Sequence, residues 1–153
     1  MQAGWWESIH DSRFTEMTIM KIDGSCHCGN ITFVAEIDPE KVMICHCTDC
    51  QTLTGSAFRV VVRAPRDKFE LRGGKLKTYI KTAESGARRV QAFCPECGTP
   101  VYSAAAEDPK EFGLRIGTIR QRAELRPSKQ IWCRSALGWA MDLRGVPQLA
   151  KQG

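Results

Sequence analysis

With 153 residues, 42% of them apolar and 25% charged, the chain fits one domain with its own core, which excludes a disordered segment or a miniature dependent on staples. The net charge of +5 comes from basic residues spread along the whole chain, so a solvated basic face ranks first, a pocket for an anionic small molecule second and nucleic acid last. No apolar run reaches the length of a membrane span, and residues 1–20, which include Glu7, Asp11, Arg13 and Glu16, lack the apolar centre of a secretion signal; the expected location is the cytoplasm, where thiols stay reduced.

Residues 1–18 read as an N-terminal extension and 19–153 as the domain, with Met17 or Met20 as alternative starts. Short β-like stretches then follow one another. The first two are Met17–Asp23 and the β-branched, aromatic Asn30–Ile37. Thr48–Thr54 reads as a short turn of helix. Phe58–Arg63 is an apolar run closed by charges, and Lys68–Arg72 and Leu76–Lys81 alternate. Arg88–Phe93, Pro100–Ser103 and Phe112–Ile116 complete the set, each bounded by Gly, Pro, Asp or Ser. The Gly73-Gly74 and Ser85-Gly86 pairs predict hairpin turns. No segment carries a long 3.6-residue period, so the predicted class is all-β with short helical turns only.

The eight cysteines carry the chemistry. They form Cys26-x-Cys28, Cys45-x-Cys47-x-x-Cys50 and Cys94-Pro-Glu-Cys97, with Cys133 alone. In a reducing compartment such clusters bind metal or catalyse before they form bridges. Zinc sits about 2.3 Å from each thiolate in a tetrahedron, which sets two sulfurs about 3.7 Å apart. Cysteines two apart on extended chain face the same side and can share one ion. A C-x-x-C bent by a turn does the same, and Pro95 favours the bend. Cys26 and Cys28 with Cys94 and Cys97 make the best complete four-sulfur set, a closed structural site. Cys45, Cys47 and Cys50 then leave a fourth position open, the mark of a catalytic zinc at which a substrate thiol is held as thiolate. Other arrangements stay open: Cys45 and Cys47 in the four-sulfur site, or His27 or His46 as a missing ligand. Alternation turns both histidines away from the metal, to the surface or behind the ligands.

The motifs Gly24-Ser-Cys-His-Cys-Gly-Asn-Ile-Thr-Phe33, Cys45-His-Cys-Thr-Asp-Cys-Gln-Thr-Leu-Thr-Gly-Ser-Ala-Phe58 and Phe93-Cys-Pro-Glu-Cys-Gly-Thr-Pro-Val-Tyr102 resemble the glutathione-dependent formaldehyde-activating enzyme family, to which centromere protein V also belongs. The resemblance runs from about Lys21 to Leu149 and takes in Arg126-Pro-Ser-Lys-Gln-Ile-Trp132 and Trp139. It implies a β-tent of twisted antiparallel sheets around a structural zinc held by Cys26, Cys28, Cys94 and Cys97. It implies Cys45, Cys47 and Cys50 as the catalytic cluster and second zinc site, open to partial occupancy. The implied activity joins glutathione to formaldehyde as S-hydroxymethylglutathione, a carbon–sulfur lyase reaction in reverse, with a small-molecule thiol such as glutathione as partner.

No residue in the sequence marks a glutathione pocket. Arg59 is a candidate for a glutathione carboxylate, although a solvent-facing charge at a strand start is its more ordinary reading. Thr54 and Ser56 read as turn residues around Gly55 rather than substrate contacts, and Phe58, Trp132 and Trp139 as core. Ile131–Leu137 faintly resembles the reactive-cysteine strand of B-type methionine sulfoxide reductases, but Cys133 reads first as buried and inert. Against the enzyme stand a non-catalytic zinc scaffold, favoured by the lack of an obvious general base, and a redox enzyme using Cys133.

Overall fold

A computed structural model describes residues 18–152. The N-terminal extension expected over 1–18, and the start considered at Met17, lie outside those residues apart from Thr18. Ten strands and one α-helix follow in order: β1 (Met20–Ser25), β2 (Thr32–Ile37), β3 (Val42–Cys45), α1 (Thr48–Thr54), β4 (Arg59–Pro65) and β5 (Phe69–Gly73). After them come β6 (Lys77–Thr82), β7 (Arg88–Phe93), β8 (Pro100–Ala105), β9 (Glu111–Arg115) and β10 (Lys129–Ile131). The fold is all-β, as the alternation predicts. No helix among the described residues is long and apolar enough to cross a membrane.

The strands form two sheets. The smaller has the order β1-β2-β5, and the larger β10-β3-β4-β9-β8-β7-β6. Every pairing is antiparallel except β10 on β3. The sheets pack through alternate residues of their strands. Phe33, Ala35 and Ile37 of β2 meet Val62 and Ala64 of β4 and Leu114 of β9 in one buried cluster. An aromatic seam joins the sheets, with Phe69 centred 5.6 Å from Phe33, 5.6 Å from Tyr102 and 5.1 Å from Phe112. Burying a side chain the size of Phe33 is worth about 1.5–3 kcal/mol, so this seam is a main source of stability.

Alternation then decides what the other face of the large sheet presents. Val62 and Leu114 point into the core as direct partners, so their neighbours Val61, Arg63, Gly113 and Arg115 point to the opposite side. The same logic places Cys45 beside Arg59, and Gln91 beside Ser103 and Gly113, on that outer face.

Of the two expected hairpin turns, one forms and one does not. The Ser85-Gly86 turn does close the β6–β7 hairpin, with Gly86 at φ 82°. Gly73-Gly74, by contrast, joins strands of different sheets, since β5 pairs with β2 and β6 with β7. Gly74 is required there for a separate reason. It sits at φ 74°, and a Cβ would lie 2.4 Å from the carbonyl oxygen of Asn30. Two strands, β3 and β10, carry no alternating signal of their own.

Candidate metal centre and cleft

The cysteines fall into two groups, Cys26, Cys28, Cys94 and Cys97 in one and Cys45, Cys47 and Cys50 in the other, with sulfurs in each all within 4.8 Å of one another. The pairing expected from ligand count is the pairing the fold brings together. Cys133 joins neither group.

The four-cysteine group is built from two matching turns. In the first, Gly29 N–H bonds to Cys26 O and Cys26 N–H to Ile31 O. In the second, Gly98 N–H bonds to Cys94 O and Cys94 N–H to Thr99 O. Each turn closes on a glycine in the left-handed region, Gly29 at φ 80° and Gly98 at φ 72°. Thr99 ties the turns together: its hydroxyl accepts from His27 N–H at 3.1 Å and lies 3.1 Å from Cys97 Sγ. Cys26 Sγ lies 3.5 Å from Cys28 Sγ, and Cys28 Sγ 3.8 Å from Cys94 Sγ, bracketing the spacing a tetrahedral zinc imposes.

Local donors favour thiolates here. The Thr99 hydroxyl, then the Cys28 N–H, holds the Cys97 thiol down to about 5. Burial pushes Cys26 up, but the Ile31 N–H, 3.2 Å from its sulfur, and then the Cys28 and Cys94 thiols bring it below its usual value, with Cys97 opposing. Asn30 N–H pulls Cys28 down, yet crowding by the other three sulfurs pushes it up to about 12. Several thiolates at this spacing call for a cation among them.

The three-cysteine group comes from one short loop. Cys45 ends β3, and Cys47 caps α1 by accepting from Cys50 N–H at 3.4 Å. Gly55 ends the helix in the left-handed region, and the Thr54 hydroxyl donates back to Cys50 O at 2.7 Å, so Thr54 is the turn residue the sequence suggested. The thiols chain together, Cys47 to Cys50 at 3.0 Å and Cys50 to Cys45 at 3.3 Å. Donation from Cys50 holds Cys45 down to about 5, burial opposing, with help from the Cys47 N–H and from Arg59. The same contact with Cys45, then burial, pushes Cys50 up. These sulfurs must open by several tenths of an ångström to take zinc. Both groups can hold a metal ion, and an all-sulfur donor set is consistent with zinc.

Two clefts of similar size lie beside the cysteines: one of about 740 Å³ takes only Cys26 of the four-cysteine group into its lining, while the other takes all three of Cys45, Cys47 and Cys50. The second cleft, of about 770 Å³, runs over the outer face of the large sheet. Cys45, Cys47 and Cys50 form one end, and Gly113 and Ser103 keep its middle shallow-floored and open. Its rim is the β6–β7 turn on one side and the Trp132–Ser135 turn on the other, joined by Arg134 donating to both Glu84 oxygens at 3.0 and 3.2 Å. Arg134 also stacks 4.9 Å over the Trp132 ring. The Gln51 amide donates to His46 O and to Ser135 O, both at 2.9 Å, and so fixes this rim to the cysteine loop.

Several single-residue expectations change. Arg59 is half-buried in the cleft, not solvent-facing, because it stands directly across from Cys45 in the β3–β4 pairing. His46 is a core residue with 1% exposure, its Nε2 at 2.7 Å from Gln130 Oε1 and its ring edge-on to Phe58. His27 is exposed, as alternation expects, and Ser56 is exposed beside Gly55. Cys133 is exposed, not buried. Trp132 and Trp139 are exposed, not core, and Trp132 sits at φ 58° on the cleft rim. Arg89 and Gln91 escaped the sequence reading, although their two-residue spacing on β7 puts them on one face.

An all-β chain with one four-thiol group and one three-thiol group lining a cleft defines a class of cysteine-rich protein able to hold metal. The profile described as glutathione-dependent formaldehyde-activating enzyme matches residues 21–135, and the chain belongs to that family. The crystal structure of a Rhodobacter sphaeroides protein superposes with a TM-score of 0.56 at 18% identity, covering 71% of this chain and 98% of that one. That likeness speaks to the fold alone.

Proposed function

We propose that this protein is a zinc-dependent carbon–sulfur lyase-type enzyme, similar to S-hydroxymethylglutathione synthase, acting on the adduct of a small thiol with formaldehyde or a related electrophile. The observation that carries the reading is that Cys45, Cys47 and Cys50, a group one ligand short of four, all line one cleft, whereas of the complete four-cysteine group only Cys26 lines the other. In this reading Cys26, Cys28, Cys94 and Cys97 hold a structural zinc, and Cys45, Cys47 and Cys50 a catalytic one. The domain spans 19–153 and works in the cytoplasm with glutathione as thiol partner.

Cys45, Cys47 and Cys50 would hold the zinc ion, which when bound would supply the charge that keeps a substrate thiol deprotonated at neutral pH. The chain supplies position. Arg59 faces the sulfurs and offsets negative charge there. Gln51 and the α1 caps fix the loop so that the three sulfurs converge. The overall reaction balances without an external oxidant or reductant. The thiol sulfur bonds to the carbonyl carbon, the carbonyl π bond breaks, and the thiol's proton ends on the new hydroxyl; the lyase direction reverses each change.

The test is turnover of a glutathione–formaldehyde mixture followed by NMR exchange, with Cys50→Ser as control. Acceleration lost in Cys50→Ser supports the reading. Equal exchange with and without the wild-type protein removes it for this substrate pair.

A further inference from the structure

The lining of the cleft carries five cations, Arg59, Arg63, Lys81, Arg89 and Arg134 among them all, against three carboxylates. Each carboxylate is already paired: Glu111 with Arg63, Asp49 with Lys81 and Glu84 with Arg134. Arg59 and Arg89 are left without a carboxylate among the described residues. Both are half-buried, where an unpaired guanidinium costs more than at the surface.

A third guanidinium stands behind them. Arg115 is 7% exposed and donates to Gln91 Oε1 at 2.8 Å, while its Nε and Nη1 are buried with no partner. Arg59 Nε is likewise buried and unpartnered. Burial, then repulsion from Arg59, pulls the Arg115 guanidinium down to about 9. Burial, then Arg59 and Arg63, lowers Arg89 as well. These heads therefore crowd one another. They converge from β4, β7 and β9 over the small residues Gly113 and Ser103, which leave the space between them free. Three thiolates with one divalent ion carry a single net negative charge. Arg59, across from Cys45, answers that charge, and Arg89 and Arg115 remain in excess.

We infer that Arg59 and Arg89, with the Arg115 guanidinium held behind them on Gln91, form a carboxylate subsite beside the three-cysteine group, so that the cleft selects an acid-bearing thiol over a neutral one. A carboxylate there meets Arg89, which has no carboxylate partner among the described residues, while Arg59 is shared between it and the cysteine group. The choice of ligand rests on the thiol-adduct reading above, but the subsite is tested by binding alone.

The probe is S-methylglutathione, whose sulfur is capped and whose two carboxylates are intact, titrated calorimetrically into the full chain. Its diethyl ester, lacking both charges, binds about tenfold or more weakly, the equivalent of one lost charge-assisted hydrogen bond. Arg89→Gln weakens the acid by about tenfold and leaves the ester unchanged. Arg88→Gln removes the same charge from the same strand, where Arg88 pairs with exposed Glu107, and leaves both probes unchanged. The ester comparison uses wild-type protein, so it holds even where a variant folds poorly. Equal affinity of acid and ester, or equal losses in Arg88→Gln and Arg89→Gln, overturns the subsite. Acid-selective binding without glutathione–formaldehyde turnover keeps the subsite and removes the reaction; turnover without acid selectivity does the reverse.

Discussion

The two cysteine groups use the same ligand atom for opposite ends. The four-cysteine group joins turns far apart in sequence, with Cys28 and Cys94 separated by 66 positions. Its donors come from both sheets, so whatever fills it also fastens β1 of the small sheet to the β7–β8 turn of the large one. The three-cysteine group lies within one loop and fastens nothing distant. Its sulfurs face a cleft with crowded cations. Closure of long-range contacts makes a metal part of folding, whereas a local group on an open cleft leaves the metal free for chemistry.

The largest break in that comparison is Cys94→Ser. A structural zinc contributes on the order of 10 kcal/mol, comparable to a domain's whole stability of about 5–15 kcal/mol. The expected outcome is loss of the cooperative thermal transition in circular dichroism, and the same loss when a strong chelator strips the wild-type protein.

Cys50→Ser is expected to keep that transition while lowering bound zinc from two ions per chain to one. Turnover of glutathione with formaldehyde should fall by about 100-fold or more, since even residues that merely support a metal ligand are worth about 10–100-fold. Metal counting under reducing conditions reads the first effect and NMR the second. A protein that unfolds in Cys50→Ser would erase the distinction between the groups.

Gly113→Val sharpens the comparison without touching either group. A Cβ at Gly113 already comes within 3.3 Å of the Ser103 hydroxyl, and the valine methyls would fill the cleft floor. Overpacking of this kind costs about 1–3 kcal/mol, so the melting temperature drops modestly while binding of S-methylglutathione is lost and metal content stays the same. Gln51→Ala removes the amide that bridges His46 O and Ser135 O. It should cost about 1 kcal/mol and speed hydrogen exchange over 132–136 ahead of the sheet. The smallest effect belongs to Arg134→Ala. Its exposed pair with Glu84 is worth about 0–1 kcal/mol, so stability is nearly unchanged.

Much of this was legible in the sequence wherever the signal was local. Arg88–Phe93 is a strand over its whole predicted span, and Thr48–Thr54 is helical as read, because alternation and a capped turn are written in neighbouring residues. The cysteine grouping was legible because ligand number limits the choices. What the sequence hid depends on pairing. The straight apolar run Val42–Cys45 and the three residues Lys129–Ile131 become strands through each other and through β4. Gly73-Gly74 announces a turn but not which sheets it joins. Arg59 looks like any charge at a strand start until Cys45 is placed across from it, and Arg115 shows its unpaired donors only once β9 is seated between β4 and β8.

Alternation along β4, β7 and β9 has one further effect. Core residues such as Val62, Ala92 and Leu114 occupy every other position, and the cleft's arginines, glycine and glutamine occupy the positions between. Selection on the small molecule and selection on the fold therefore act on interleaved, nearly independent sets of codons. A descendant can exchange Arg89 or Gln91 for another ligand while Val90 and Ala92 go on holding the sheet together. The architecture is thus suited to diversify its chemistry by substitution on one face of existing strands, with no new loop, insertion or domain.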